Sequence, residues 1–318
     1  MASTVKVNPT YILDVQYPPT PSTTKSGLDG ATKTIYAPVN KFIEFAYPLT
    51  VEFSIKKSIS ATLNTADFSI YNLNPVTRQQ LAKDRYNQND LGNGLLKRLV
   101  NFKAGYQKKL VTLFSGNLME GWSERRGTEI ITRLNCQDGG YEAYNKYTQA
   151  TYNPPITFQD ILKGLVQDMG IPIGWLSKPD NADPLRPITL SGNTNTLIQD
   201  NFGQNQSFIE NGQFYFLKEN EFLPVPILVI SADTGLKGVP RRQDTIIEIE
   251  MIFEPTVILG QAVQLISAID KRFNGIYKVV GYEHSGIISG AVDGERTTRM
   301  QLLIGSGLLG GLTQATAS

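Results

Sequence analysis

The sequence predicts a mainly β fold of α+β class: two small antiparallel β-barrel domains flanking an α/β insert. Three observations predict it. Val51, Phe53 and Ile55 fall on one face of an extended segment, with Glu52, Ser54 and Lys56 on the other. The alternation returns in TIIEIEMIF, where Ile247, Ile249, Met251 and Phe253 oppose Glu248 and Glu250. Between them lies a stretch with helical periodicity and caps. Strict alternation is the mark of antiparallel sheets with one wet face, because parallel sheets are buried on both.

Residues 1–41 are rich in Pro, Thr, Ser and Gly and bury too little apolar surface to offset their ordering entropy. They are predicted as an N-terminal arm, either ordering on a neighbouring subunit through Tyr11, Ile12, Leu13 and Val15 or frayed. Residues 42–147 form the first predicted barrel. Ile130, Leu134 and Cys136 repeat the inward pattern with Thr132. A single short helix crosses it, with Asn74 as N-cap, Pro75 at the first helical position and turns over Val76 to Lys83.

Residues 148–234 form the insert. Thr157 and Asp160 have capping-box spacing, Ile161, Leu162, Leu165 and Val166 make an apolar stripe, and Gly170 ends the helix. IPIGW reads as a strand and TNTLIQDNF as a second helix. Asn211-Gly212 suits a type I′ turn between the strands of QSFIENGQFYFLKE. Residues 235–305 form the second predicted barrel, from strand-like runs AVQLIS, GIYKVVGYEHSG and RTTRMQLLIG. Residues 306–318 are a predicted flexible tail.

Composition excludes several function classes. The chain has 318 residues, 41% of them apolar, and a net charge of +1. It is globular, and no global charge draws it to nucleic acid or membrane. The base pairs Arg125-Arg126 and Arg241-Arg242 read as exposed loop charges. The one cysteine, Cys136, allows no intrachain disulfide and reads as a core residue. The one histidine, His284, excludes H-E-x-x-H sites and any two-histidine metal site within one chain. It has no G-x-S-x-G elbow beside it, and it reads as a structural or surface residue. GSGLLG, from Gly305 to Gly310, matches G-x-G-x-x-G, but leaves no room for the helix and second strand a dinucleotide fold needs. Asn205-Gln-Ser is a glycosylation sequon without a secretory context. Glu120, Glu124 and Glu129 lie near Trp122, a pattern open to a sugar site, but Trp122 reads as closing a barrel end. No apolar run reaches the roughly 18 residues a membrane span needs, so no stable membrane insertion is expected. No cofactor or metal is expected.

An ordered series of motifs adds a resemblance. Ile70, Tyr71, Asn72, Leu73 and Pro75, then Thr77-Arg78, Ala104-Gly105-Tyr106, Phe114, Gly116, Gly127 and Asp138-Gly139 follow in the order seen in baseplate hub proteins of contractile-tailed bacteriophages. Related hubs occur in type VI secretion spikes. Gly235, Leu236, Gly238, Pro240, Tyr277, Val279 and His284 resemble the closing domain of the same family. The resemblance implies a non-enzymatic virion protein of the tail baseplate, built in the host cytoplasm. It also implies a homotrimeric, pseudo-hexameric adaptor between a six-fold tail tube and a three-fold central spike. Its partners would be itself, tube or distal tail proteins, the spike and other baseplate proteins, with DNA passing through unread. A tail-associated peptidoglycan hydrolase or carbohydrate binder is the alternative.

Overall fold

The computed structural model describes residues 8–25, 32–37, 39–60, 64–83, 98–107, 109–138, 146–203, 206–304 and 313–314. In chain order the first elements are β1 (Pro9–Gln16), β2 (Thr20–Lys25), β3 (Thr32–Ala37), β4 (Phe42–Ala46), β5 (Val51–Ser58) and β6 (Thr65–Tyr71). Then come α1 (Pro75–Leu81), β7 (Leu99–Tyr106), β8 (Lys109–Arg126) and β9 (Glu129–Gln137). The middle of the chain holds β10 (Tyr147–Tyr152), α2 (Phe158–Met169), β11 (Ile173–Leu176), β12 (Ile188–Asn193) and α3 (Thr194–Phe202). It continues with β13 (Ser207–Glu210), β14 (Gln213–Phe216), β15 (Glu221–Phe222) and β16 (Leu228–Ser231). The last elements are β17 (Leu236–Gln243), β18 (Ile246–Ile252), β19 (Ala262–Ile266), β20 (Gly275–Ile288), β21 (Arg296–Leu303) and β22 (Thr313–Gln314).

Local chemistry explains the short elements. Asn74 accepts a hydrogen bond from the Thr77 amide and Pro75 opens α1. Thr157 accepts from the Asp160 amide at 3.1 Å, and Gly170 closes α2 in the left-handed conformation at φ 70°. Ile161, Leu162, Leu165 and Val166 are all buried. Asn211 and Gly212 both have positive φ, as a type I′ turn requires, and join β13 to β14 with Glu210 opposite Gln213.

The long strands build one sheet of 13 strands, ordered β17-β18-β21-β20-β5-β6-β9-β8-β7-β1-β4, with β19 and β16 branching from β20. This path contains a repeat. In the first half β5, β6, β9, β8 and β7 lie side by side, every pair antiparallel. In the second half β17, β18, β21, β20 and β19 lie in the same spatial and chain order, again antiparallel throughout. The outermost strand differs: β1 pairs antiparallel with β7, β16 parallel with β19. Each half turns on its longest strand. The N-terminal part of β8 pairs with β7 and the remainder with β9, and the β8–β9 register shifts between Leu118 and Glu120. In β20 the shift against β21 falls between Val279 and Gly281. A bulge there bends the strand, so one strand serves two layers.

These pairings correct the barrel expectation. Among the described residues no strand ladder closes on itself; each half is a sheet folded over at its bulged strand. The ladder of β20 with β5, from Gly281 opposite Ser58 to Ile288 opposite Val51, fuses the halves. Segments also lie across the expected boundaries. Pro9–Gln16, within the expected arm, runs between β4 and β7 with Tyr11, Leu13 and Val15 buried. Leu228–Ser231, within the expected insert, belongs to the large sheet, and Tyr147 begins a strand paired with β12. Gly139, Asn205 and the Gly305–Gly310 motif lie outside the described residues. In the expected tail, Thr313–Gln314 pairs with β15.

Three apolar cores result. One lies under β1 and β5–β9, with Phe53, Phe68, Phe102 and Phe114 at its centre. A second lies under β16–β21. The third joins α2 and α3 to the small sheet of β11, β14 and β13. The first core also takes in Phe253 and Ile288 from the second half.

Candidate assembly site

The strand seam between the halves is where chemistry concentrates. Lys57 stands at an inward position of β5 and is buried; its Nζ donates to Glu210 Oε1 at 3.3 Å and Asn211 Oδ1 at 2.7 Å. The Tyr282 hydroxyl donates to the same Glu210 oxygen at 2.6 Å, and the Leu259 amide donates to Oε2 at 3.0 Å. Asp138 accepts from the amides of Asn211 and Gly212 at 2.6 and 2.9 Å. Asn64 accepts from the Ser58 amide and donates to the Ile209 carbonyl. The tip of the β13–β14 hairpin is thus clamped by both halves of the large sheet. Every buried charge in the clamp has partners, which a low-dielectric interior demands. Burial raises the Asp138 carboxyl above the usual range, although Lys57 and the two amides pull it back. Burial likewise pushes the Tyr282 hydroxyl well up, with Glu210 adding to the shift.

The motif residues fall into separate groups. Tyr106 and His284 flank Phe253: Tyr106 donates to the Phe253 carbonyl at 3.0 Å, and the His284 ring lies 5.4 Å from the Phe253 ring. Burial pushes the Tyr106 hydroxyl up to about 12. His284 is wholly buried, and its Nδ1 pairs with Thr298 Oγ1 at 2.9 Å. Thr298 Oγ1 also accepts from the Glu254 amide, and His284 Nε2 is buried without a hydrogen-bond partner among the described residues. Gly105 and Gly116 are close-approach positions, since a Cβ would sit 2.0 Å from the Lys109 carbonyl oxygen or 2.5 Å from that of Gln137. Asn72, at φ 56°, bonds Ile130 through both its amide and its side chain. Pro75 opens α1, and Tyr277 donates to the Phe273 carbonyl. Gly235, Gly238 and Pro240 shape the edge strand β17 and its irregular register. Asp138 alone among the motif residues joins the clamp. Lys57, Glu210, Tyr282 and Asn64 were missed by sequence reasoning. The available signal was a charge at inward strand parity, as at Lys57 and Glu210.

The solvent face over the seam carries a second pattern. Lys56, Glu283, Arg299, Glu250 and Lys237 stand opposite one another in a row across β5, β20, β21, β18 and β17. Signs alternate along the row, with Lys56–Glu283 at 3.5 Å, Arg299–Glu250 at 3.0 Å and Lys237–Glu250 at 3.9 Å. The row lines a cleft of about 550 Å³. Such a face is strongly hydrated and nearly charge-balanced.

Trp122 differs from the expectation that it closes a barrel end: among the described residues it is 45% exposed on the C-terminal half of β8. Beside it Glu124 accepts from Arg133 Nε at 2.7 Å, which holds the Glu124 carboxyl below the usual range. Cys136 is buried in the first core, where burial pushes its thiol up. Among the described residues no group of three His, Cys, Asp or Glu is placed to hold a metal, and no helix is long and apolar enough to cross a membrane.

The family described as Baseplate hub gp41 matches residues 38–286. Several solved structures share the fold at low identity. The 43 kDa tail protein of prophage MuSo2 from Shewanella oneidensis has a TM-score of 0.54 at 9% identity, covering 92% of this chain and 98% of that one. The E. coli c3393 protein, a type VI secretion component described as similar to T4 tail proteins gp27 and gp5, has a TM-score of 0.53 at 11% identity, covering 83% and 76%. A chain of the Francisella PdpA-VgrG complex has a TM-score of 0.52 at 9% identity, covering 99% of this chain and 61% of that one. A comparison with curated protein sequences finds no match.

Proposed function

The chain belongs to the Baseplate hub gp41 family, and from that premise we propose that it is a homotrimeric, pseudo-hexameric adaptor joining a six-fold tail tube to a three-fold central spike. The observation that carries this reading is the repeat within the sheet. Two blocks of the same strand order are fused edge to edge by β20 and β5. A chain with two equivalent blocks, taken three times about an axis, offers six near-equivalent faces to a six-fold ring and three to a spike. No other simple stoichiometry reconciles those symmetries with a duplicated subunit.

The same arrangement suits a channel wall. Its alternating row of charges pairs cation with carboxylate, so DNA passing along it meets no uncompensated basic track to bind. The protein acts as a structural part of the tail baseplate, beside tube and spike proteins, and carries out no reaction. The likeness to a chain of the PdpA-VgrG complex and to a type VI secretion component supports a place against a spike. The hydrolase reading would need a carboxyl that keeps its proton near neutrality. Glu124, two residues from Trp122, is tied to Arg133 and pushed the other way.

The test is mass in solution followed by imaging of the tail tip. A trimer, alone or with tube and spike proteins, is expected between the last tube ring and the spike. A chain that stays monomeric with both partners present would sink the adaptor reading.

A further inference from the structure

We propose that the outer edge of the C-terminal half of β8 and the outer edge of β17 are the two sides of one joint, each receiving the other from a neighbouring copy of this chain. The inference rests on the trimeric reading and adds which strands meet and in what register.

The template for the joint is present inside the chain. Aligning the repeat on its two bulges sets Glu120 with Gly281 and Asn135 with Gln301. The alignment then pairs Arg133 with Arg299 and Thr132 with Thr298. Ser123 falls on His284, and both make the same cross-strand bond, to Thr132 at 3.0 Å and to Thr298 at 2.9 Å. Continuing across the sheet, Asp67 matches Glu248, and Ser54 matches Arg241. In the second half the strand edge at Glu283, His284 and Ser285 is filled by Lys56, Ile55 and Ser54 of β5. In the first half the matching edge, at Trp122, Ser123 and Glu124, has no strand beside it among the described residues. The strand equivalent to β5 is β17, whose outer edge also has no strand beside it among the described residues. Substituting equivalents gives the intermolecular register: Trp122 opposite Gln243, Ser123 opposite Arg242 and Glu124 opposite Arg241.

Backbone polarity and charge fit that register. The Gly121 amide and carbonyl point away from β9, to Lys83, so by strand alternation those of Ser123 and Arg125 point outward too. On β17 the tight hairpin pairs Gln243 with Ile246, which turns the Arg242 amide and carbonyl outward. Ser123 and Arg242 then exchange backbone bonds while Glu124 and Arg241 stand as a closer, non-bonded pair. Arg241 has no hydrogen bond or ion pair among the described residues, and it would meet a carboxylate there. Lys83 on Gly121 and Pro240, which has no N–H, stop the ladder at either end. The joint is short and its register fixed.

Paired cysteines at Trp122→Cys and Gln243→Cys test it directly, because opposed non-bonded strand positions come within disulfide reach. Native Cys136 is wholly buried and stays in place. Mild oxidation of the double variant is expected to give a covalent trimer that reduction dissolves, with neither single variant doing so. In a second arm Glu124→Arg and Arg241→Glu each weaken trimerisation by about tenfold, and together restore it. A native trimer whose double-cysteine form stays uncrosslinked, and whose charge swap gives no rescue, would overturn the joint and leave the trimer standing. A protein that never trimerises, with tube and spike proteins added, would remove both.

Discussion

His284 illustrates what a single residue contributes here. It is buried against Phe253 and Tyr282, its pKa pushed down to about 3 by burial, with nearby Lys57 adding to the shift. The unfolded chain takes up that proton near an ordinary pKa of about 6.5. The folded value is the lower one, so the unfolded state binds the proton first as pH falls. The contribution is therefore complete above about pH 6.5 and is lost between there and about pH 3, by up to ~1.4 kcal/mol per pH unit. Asp138 acts in the opposite sense, since its raised pKa makes the folded state the better proton acceptor. Urea unfolding of wild type and His284→Gln at pH 7 and pH 4 separates the two. The wild type should lose more stability than the variant over that interval, and equal losses would mean the imidazole is not a buried neutral group. The sequence left His284 as a structural or a surface residue; that it is wholly buried was not legible there. That Lys57 and Glu210 meet was not legible either, because inward parity marks each as unusual without naming a partner on another element.

At the scale of elements, the β13–β14 hairpin is the piece whose position depends on the rest. Its Asn211-Gly212 turn and its length were readable from residue order, since positive φ at both central positions admits few other residues. Its docking was not readable, because Asp138 is 73 residues away from Asn211 and the bond between them is a tertiary fact. Asp138→Ala leaves two turn amides without an acceptor and Lys57 with one carboxylate fewer nearby. The expected loss is about 2–4 kcal/mol in chemical unfolding, from buried donors left unsatisfied. Faster hydrogen exchange should appear in β13 and β14 before the large sheet. Asp138→Asn keeps an acceptor and should lose less. A cost below about 1 kcal/mol for the alanine variant, with unchanged exchange in the hairpin, would show that the tip is held by apolar packing alone. The helices were the most legible elements, since their caps and stripes are local: Thr157, Asn74 and Gly170 each act within a few residues of their own position.

For the whole molecule, alternation in the sequence identified two β-rich regions around an insert but not how their sheets end. Alternation fixes which face of a strand is wet; it does not say whether the strand's edge meets a neighbour, a sister block or solvent. Closed barrels were therefore the expectation, and among the described residues the outcome is two fused blocks with no closed ladder. Open ends matter more than closure for an adaptor, because a closed barrel has no edge to continue into the next subunit. If β20 and β5 join the blocks within a chain as β8 and β17 join them between chains, the joints recur at equal steps around the ring. The operation that carries block β17-β18-β21-β20 onto block β5-β6-β9-β8 must then be a rotation of about 60° about the trimer axis. The strands match in order and bulge position, but Ser54 stands where Arg241 does and Trp122 where Glu283 does. Shape would be six-fold while chemistry stays three-fold. A tube ring reading backbone shape would meet six equal faces, and a spike reading side chains would meet three. Imaging of the assembled tip measures the angle directly. A rotation far from a sixth of a turn, or blocks tilted differently against the axis, would leave the tube ring without matching faces and the adaptor mechanism without its physical basis.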